Sequence, residues 1–268
     1  MLFTAIFAAV AFLMTPVYRA TTILVPASNG RSVEGLGSAL DQLGGLASIA
    51  GITLGNKGSD TEEALAVLRS REFTERFINE RGLMPKLFSS KWDAQGGKWK
   101  VPERSQPTPA KAYRYFSKKI RSITQDRKTG LVTLQIDWTD RQEAAAWANE
   151  LATRLNEEMR SRAIANADAS VGFLEKELQR TSTVETREAI SRLMEAQVKQ
   201  RMLANVTHEY AFRIVDKALP PDADDPVRPQ KVAMLLAGPA VGLVLAILWI
   251  FVASHFRNAG RRIHAAPV

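Results

Sequence analysis

The strongest constraint on this chain is a charge-free apolar run near its C-terminal end, Val232 to Ala253, entered through a proline-rich stretch. As a helix it is long enough to cross a hydrocarbon core of about 30 Å. Trp249 stands near its end, where an indole favours the lipid interface, and Arg257, Arg261 and Arg262 follow. A basic cluster so close to a span favours the cytoplasmic side and acts as an anchor there. A second apolar segment, Met1 to Val17, has Pro16 near its end and is short for a span. A cleaved signal peptide is the rival reading, but neither a basic n-region nor an A-x-A-type site accompanies it. The expected organisation is a first transmembrane helix over residues 1–17 with little or no cytoplasmic lead, and a second over 232–254. Residues 255–268 then form a short cytoplasmic tail. Both termini lie in the cytoplasm and residues 18–231 lie outside it, in the periplasm if the cell is Gram-negative.

A formal net charge of +8 raises the question of nucleic acid. No tight Lys/Arg block stands among aromatics, so a nucleic-acid partner is not expected and the charges read as solvated helix faces. A long extracytoplasmic loop is also exempt from the positive-inside rule. The absence of cysteine excludes a disulfide framework, a thiol nucleophile and a cysteine-based zinc site.

Between the apolar segments, "YRATTILVP" (Tyr18 to Pro26) has high β-propensity and reads as a strand. Gly35 to Gly58 is rich in glycine and small apolar residues. It suits a flexible loop or a surface for close backbone approach, and the sequence does not separate the two. "SDTEEALAVLRSREFTERFINERGL" predicts one amphipathic helix, with Ser59 and Glu62 as a capping box and Gly82 as its stop. Leu65, Leu68, Phe73 and Phe77 form its apolar stripe. Pro85 to Pro107 reads as irregular, and Thr108-Pro109 opens another helix carrying Tyr113, Phe116 and Ile120 on one face. Val132, Leu134, Ile136 and Trp138 alternate with Thr133, Gln135 and Asp137, which predicts the second strand of a hairpin. A long helix is expected from Arg141 to about Arg180, with Ala144, Ala148, Leu151, Leu155 and Met159 on one face. "TSTVE" breaks it, with Ser182 or Thr183 as a new N-cap, and a second helix runs to about Asn205. "YAFRIVDKAL" (Tyr210 to Leu219) is again a strand.

Strands thus stand at both ends of residues 18–231 and helices fill the middle. The fold class expected is an α+β periplasmic domain, a membrane-proximal sheet with long projecting helices, flanked by two transmembrane helices. Its proline-rich end, residues 219–231, carries Pro220, Pro221, Pro226 and Pro229. Proline neither continues a ladder nor enters a helix interior, so this segment is expected to be extended and stiff. It would couple the sheet to the second span. The long helices carry narrow Ala/Leu seams that suit either a neighbouring subunit or packing within one protomer.

No catalytic constellation is present. His255 and His264 fall in the cytoplasmic tail, so they cannot join His208, and His208 beside a strand reads as structural. No H-E-x-x-H, P-loop or G-x-S-x-G motif occurs. Glu62/Glu63, Glu157/Glu158 and Asp222/Asp224/Asp225 are sequence neighbours on helical or proline-rich stretches, better explained by a solvated surface than by acid–base work. No catalytic, cofactor-binding or metal-binding residue is therefore assigned, and no enzymatic activity is expected.

The order of these elements resembles the Wzz-type chain-length determinants, or polysaccharide co-polymerases. The resemblance spans nearly the whole chain. It rests on "YRATTILVP" after the first span, "EEALAVLRSREFTERFINERGL", "TGLVTLQIDWTDRQEAAAWANELATRLN", and "YAFRIVDKALPPDADDPVRPQK" running into the second span. The chain departs from the family where Arg141 follows Asp140, since Asp-Pro is common there, and its helical middle is modest in length. No nucleotide-binding kinase module follows the second span and the tail lacks tyrosine, unlike the fused kinase type. A separate cytoplasmic kinase is left open as a partner.

The resemblance implies a bacterial inner-membrane protein that assembles into ring- or bell-shaped homo-oligomers. It implies a non-enzymatic scaffold that sets the length of O-antigen, exopolysaccharide or capsule chains. The partners implied are a separate polysaccharide polymerase and the growing lipid-linked glycan. The alternative is a structural adaptor in an envelope-spanning export complex, paired with an outer-membrane export channel. A periplasmic glycan hydrolase is the weakest reading, for want of an acid–base pair.

Overall fold

The computed structural model describes residues 14–27 and 57–229. The expected second span and tail, most of the first span and nearly all of Gly35 to Gly58 lie outside the described residues. Among the described residues no helix is long and apolar enough to cross a membrane. The chain divides into two compact units. The larger holds Ala20–Ile136 and Gln142–Pro220, and the described part of the smaller holds residues 14–19, 137–141 and 221–229.

A four-stranded sheet has the order β4-β5-β1-β6, where β1 is Tyr18–Pro26, β4 Arg121–Gln125, β5 Val132–Trp138 and β6 Phe212–Asp216. The strands that begin and end residues 18–231 do pair: β1 and β6 are antiparallel, with an irregularity between Ile23 and Leu24. The expected hairpin forms β4 and β5, with Ile123 opposite Leu134. Its turn is held by the Asp126 carboxylate, which accepts from Lys128 N at 2.8 Å, and by Gly130 at φ 74°. A left-handed φ of this kind favours glycine. β6 is shorter than Tyr210 to Leu219: the N–H groups of the flanking Ala211 and Ala218 donate to side chains of a helix.

The core lies between one face of the sheet and the helices. Val132, Leu134 and Ile136 are fully buried, as are Thr22, Leu24 and Phe212. The longer helices are α1 (Lys57–Arg69), α2 (Arg71–Glu80), α3 (Pro109–Tyr115), α4 (Arg141–Arg180) and α5 (Val184–Val206). The long helix α4 has the expected bounds and would reach about 60 Å at 1.5 Å per residue. Its predicted face is the observed one: Ala144, Ala148, Leu151, Leu155 and Met159 are all buried. Phe116 fills the centre, with its ring 5.8 Å from Phe77 and 6.3 Å from Trp147. Burial of each such side chain stabilises by about 1.5–3 kcal/mol.

Three local readings are corrected. The helix expected across Ser59 to Leu83 is two helices. Ser70 lies between them in extended geometry, and its hydroxyl accepts from Phe73 N at 3.3 Å as the N-cap of α2. The break is held by a residue far away in sequence. Arg121 is 7 % exposed and donates to Leu68 O at 2.7 Å, Thr74 Oγ1 at 2.9 Å and Ser117 Oγ at 3.1 Å. A guanidinium at the carbonyl end of α1 complements the helix dipole. Burial lowers its pKa to about 10, so it remains a cation at neutral pH. Secondly, α1 begins at Lys57, two residues before Ser59, so Ser59 is not its N-cap. Thirdly, Trp92–Asp93 (β2) and Lys98–Trp99 (β3) form a small hairpin inside the stretch expected to be irregular. Its tryptophan rings meet edge-on at 4.9 Å.

Other boundaries agree. Gly82 (φ 58°) ends α2 with Gly82 N on Asn79 O and Leu83 N on Ile78 O, a Schellman arrangement. Thr108 caps α3 by accepting from Lys111 N. Thr183 is the N-cap residue of α5, though its hydroxyl bonds Thr186 Oγ1 and no backbone N–H.

Candidate functional site

The segment singled out for its prolines does not run straight. Asp225 N donates to Asp222 O at 3.3 Å, so the stretch turns between Pro221 and Pro226. The extended, stiff link expected there is corrected to a turn followed by a short bridge. Pro220 is exposed and ends the larger unit. Pro221, Pro226 and Pro229 belong to the smaller one, half-buried at Pro221 and Pro226 and buried at Pro229. Arg257, Arg261 and Arg262 lie outside the described residues.

After the turn the chain pairs with Val17, the last residue of the first apolar segment. Val17 N donates to Arg228 O at 2.9 Å, and Val17 O accepts from Val227 N at 2.8 Å and from Arg228 N at 3.3 Å. Side chains close the same junction. Tyr18 Oη donates to Ala223 O at 3.2 Å, and Arg141 Nη1 donates to Pro221 O at 3.1 Å. The Arg141 guanidinium also lies 5.9 Å from the centre of the Tyr18 ring.

Asp137 stands at the centre. Its carboxylate accepts from Arg19 Nε at 2.7 Å and Arg19 Nη2 at 2.8 Å, a two-point contact, and Arg228 Nη2 approaches to 3.4 Å. Asp137 is 7 % exposed, against the expectation that it shares the polar face of its strand. The hydrogen bond to Asp137 raises the pKa of Arg19, outweighing the opposing effect of burial.

Inside the larger unit, two asparagines of α4, seven residues apart and so on one face of the helix, hold the strand that leads into this segment. Asn156 Oδ1 accepts from Ala211 N at 2.9 Å and Phe212 N at 2.8 Å, and its Nδ2 donates to Phe212 O at 2.8 Å. Asn149 does the same at the other end, accepting from Ala218 N and donating to Ala218 O, both at 2.9 Å. Each side-chain amide thus bonds backbone groups as a strand would: Asn149 those of Ala218, beyond the β1 ladder, and Asn156 those of Phe212, the residue at the end of it. Sequence reasoning passed over all these groups. The available signal was two asparagines two turns apart in an Ala/Leu seam.

The sequence-level carboxylate pairs are not brought into a cleft. Glu62, Glu63 and Glu157 are exposed. Burial opposes the charge on Glu158, but hydrogen bonds from Arg162 and Arg76, both at 2.8 Å, hold its carboxyl below the usual range. His208 is exposed. Among the described residues no group of three His, Cys, Asp or Glu could hold a metal ion. A shallow cleft of about 210 Å³ is lined by residues that include Arg81, Lys86, Gln142, Glu143 and Trp147. It lies below the usual 300–1,000 Å³ of ligand pockets, and Lys86 and Glu143 are already paired in it.

No family model matches the chain, and no curated protein matches it. Among solved structures it is similar to a fragment of WzzB, a polysaccharide co-polymerase from Salmonella Typhimurium. Identity there is 15 %, 78 % of this chain and 98 % of that one are covered, and the TM-score is 0.35. It is similar to a full-length bacterial polysaccharide co-polymerase at 14 % identity, over 99 % of this chain and 96 % of that one, with a TM-score of 0.32. It is also similar to the wild-type Shigella flexneri lipopolysaccharide O-antigen chain-length regulator WzzBSF. Identity is 11 %, coverage 78 % and 100 %, and the TM-score 0.28. Likenesses of this strength assign no role to any residue.

Proposed function

We propose that this chain is a non-enzymatic inner-membrane regulator of polysaccharide chain length, an oligomeric scaffold beside a separate polymerase and its lipid-linked glycan. The observation that carries the reading is the pairing of two residues that stand at or next to the two apolar segments. Val17, the last residue of one apolar segment, shares backbone hydrogen bonds with Val227 and Arg228, shortly before the other. If both segments span the membrane, they emerge side by side into one closed junction. That junction is continuous in sequence with β1 and β5, which begin and end in it. This agrees with the element order that the sequence shares with chain-length determinants. Apolar side chains left exposed at Phe173 on α4 and at Val184, Met202 and Val206 on α5 offer surface for homo-oligomer contacts.

The test is replacement of Pro220, Pro221, Pro226 and Pro229 by alanine in the cell that makes the polymer. Glycan synthesis is expected to continue with a shifted length distribution. A wild-type ladder from a variant present at wild-type level would remove the coupling role. Polymer of normal length held inside the envelope would support the export-adaptor reading instead.

A further inference from the structure

We infer that Asp137 is the positioning residue of this junction, the group through which the segments at Val17 and Arg228 are held in register; the inference rests on the regulator reading. Arg19 and Arg228 each lie just inside one end of residues 18–231, 209 positions apart by their numbers (228 − 19). Both guanidiniums reach the same carboxylate. A carboxylate has about four lone-pair sites, enough for a two-point contact with one arginine and a further contact with a second. Without it, two cations face each other across the Val17–Arg228 bridge.

Two features make Asp137 the organiser and the arginines its followers. Its side chain is 8 % exposed, whereas those of Arg19 and Arg228 are 35 % and 53 % exposed. It is also carried on β5, whose backbone is fixed residue by residue against β4 up to Ile136, the residue before it. Arg19 is carried on β1, an inner strand of the same sheet, whereas Arg228 stands on the segment that follows the turn. The Val17–Arg228 bridge is an isolated one, so a charge at one fixed point is a further constraint on its register. The direct consequence is that loss of the Asp137 charge loosens the register of Val17 against Arg228.

The experiment compares glycan ladders from cells carrying the full-length chain as wild type, Asp137→Asn, Asp137→Ala and Asp137→Glu. The two neutral variants are expected to lose the modal band, and Asp137→Glu to keep it in part. The deciding variant adds Val17→Cys and Arg228→Cys to Asp137→Ala. The chain has no native cysteine. Paired residues of an antiparallel bridge stand within about 5.5 Å, inside the span of a disulfide. If Asp137 acts by position alone, the oxidised pair restores the modal band and a reductant removes it again. Two results overturn the inference: a wild-type ladder from Asp137→Asn at wild-type abundance, or loss of the band that the oxidised pair does not restore. Should Asp137→Ala fail to accumulate, Asp137→Asn with the same cysteine pair gives the same outcomes. If the proline variant still shifts the ladder while Asp137→Asn does not, the inference fails and the regulator reading stands. If deletion of the gene leaves the ladder unchanged, the regulator reading fails itself.

Discussion

The two units are held together by different physics. The larger one buries a layer of apolar side chains between sheet and helices, with Phe77, Phe116, Leu134, Leu151 and Leu155 almost wholly removed from water. The described part of the smaller one is three short pieces of chain far apart in sequence, joined by a backbone bridge, by hydrogen bonds from Tyr18 and Arg141, and by one carboxylate between two arginines. Apolar contacts are strong in sum and carry little direction. Two-point charge-assisted hydrogen bonds add less stability but fix an orientation. If the junction sets geometry as proposed, stability and geometry are expected to be disturbed separately.

The sharpest way to break this comparison lies in the core. Leu151→Ala removes a fully buried side chain and is expected to cost about 2–5 kcal/mol. It should lower the denaturant midpoint without changing the glycan ladder of whatever protein remains folded. A change of ladder at unchanged abundance would show that geometry also resides in the core.

Asn156→Ala comes next. The amide is buried, and its removal leaves Ala211 N and both backbone groups of Phe212 without their partner. A loss of about 1–3 kcal/mol is expected for the groups so exposed to desolvation. Faster hydrogen exchange should be confined to the start of β6.

The smallest effect on stability is expected at the junction. The arginines around Asp137 are exposed enough to hydrate once released, so Asp137→Ala should cost on the order of 1 kcal/mol or less. Its melting curve should differ less from wild type than that of Asn156→Ala. A larger destabilisation would mean that the smaller unit supports the fold as well as directing the chain ends.

Much of the larger unit was legible because its periods are regular. The alternation from Val132 to Ile136 and the Ala/Leu seam from Ala144 to Met159 each declare one buried face, and those faces are the observed ones. The break at Ser70 was not legible. Local propensity favours continuing the helix, and what stops it is a cation from Arg121, which lies 53 residues beyond Leu68. The junction was legible only as a composition of prolines. Alternation assigns Asp137 to a polar face, and its burial depends on Arg19, 118 residues away, which no local pattern reveals.

The measurement that tests the central claim most directly is deletion of the gene, followed by gel analysis of surface and secreted polysaccharide beside wild type. The account predicts that polymer is still made and that its length distribution collapses or broadens, with the wild-type pattern restored by the intact chain. Polymer of unchanged length, whether exported or accumulating within the envelope, would contradict it.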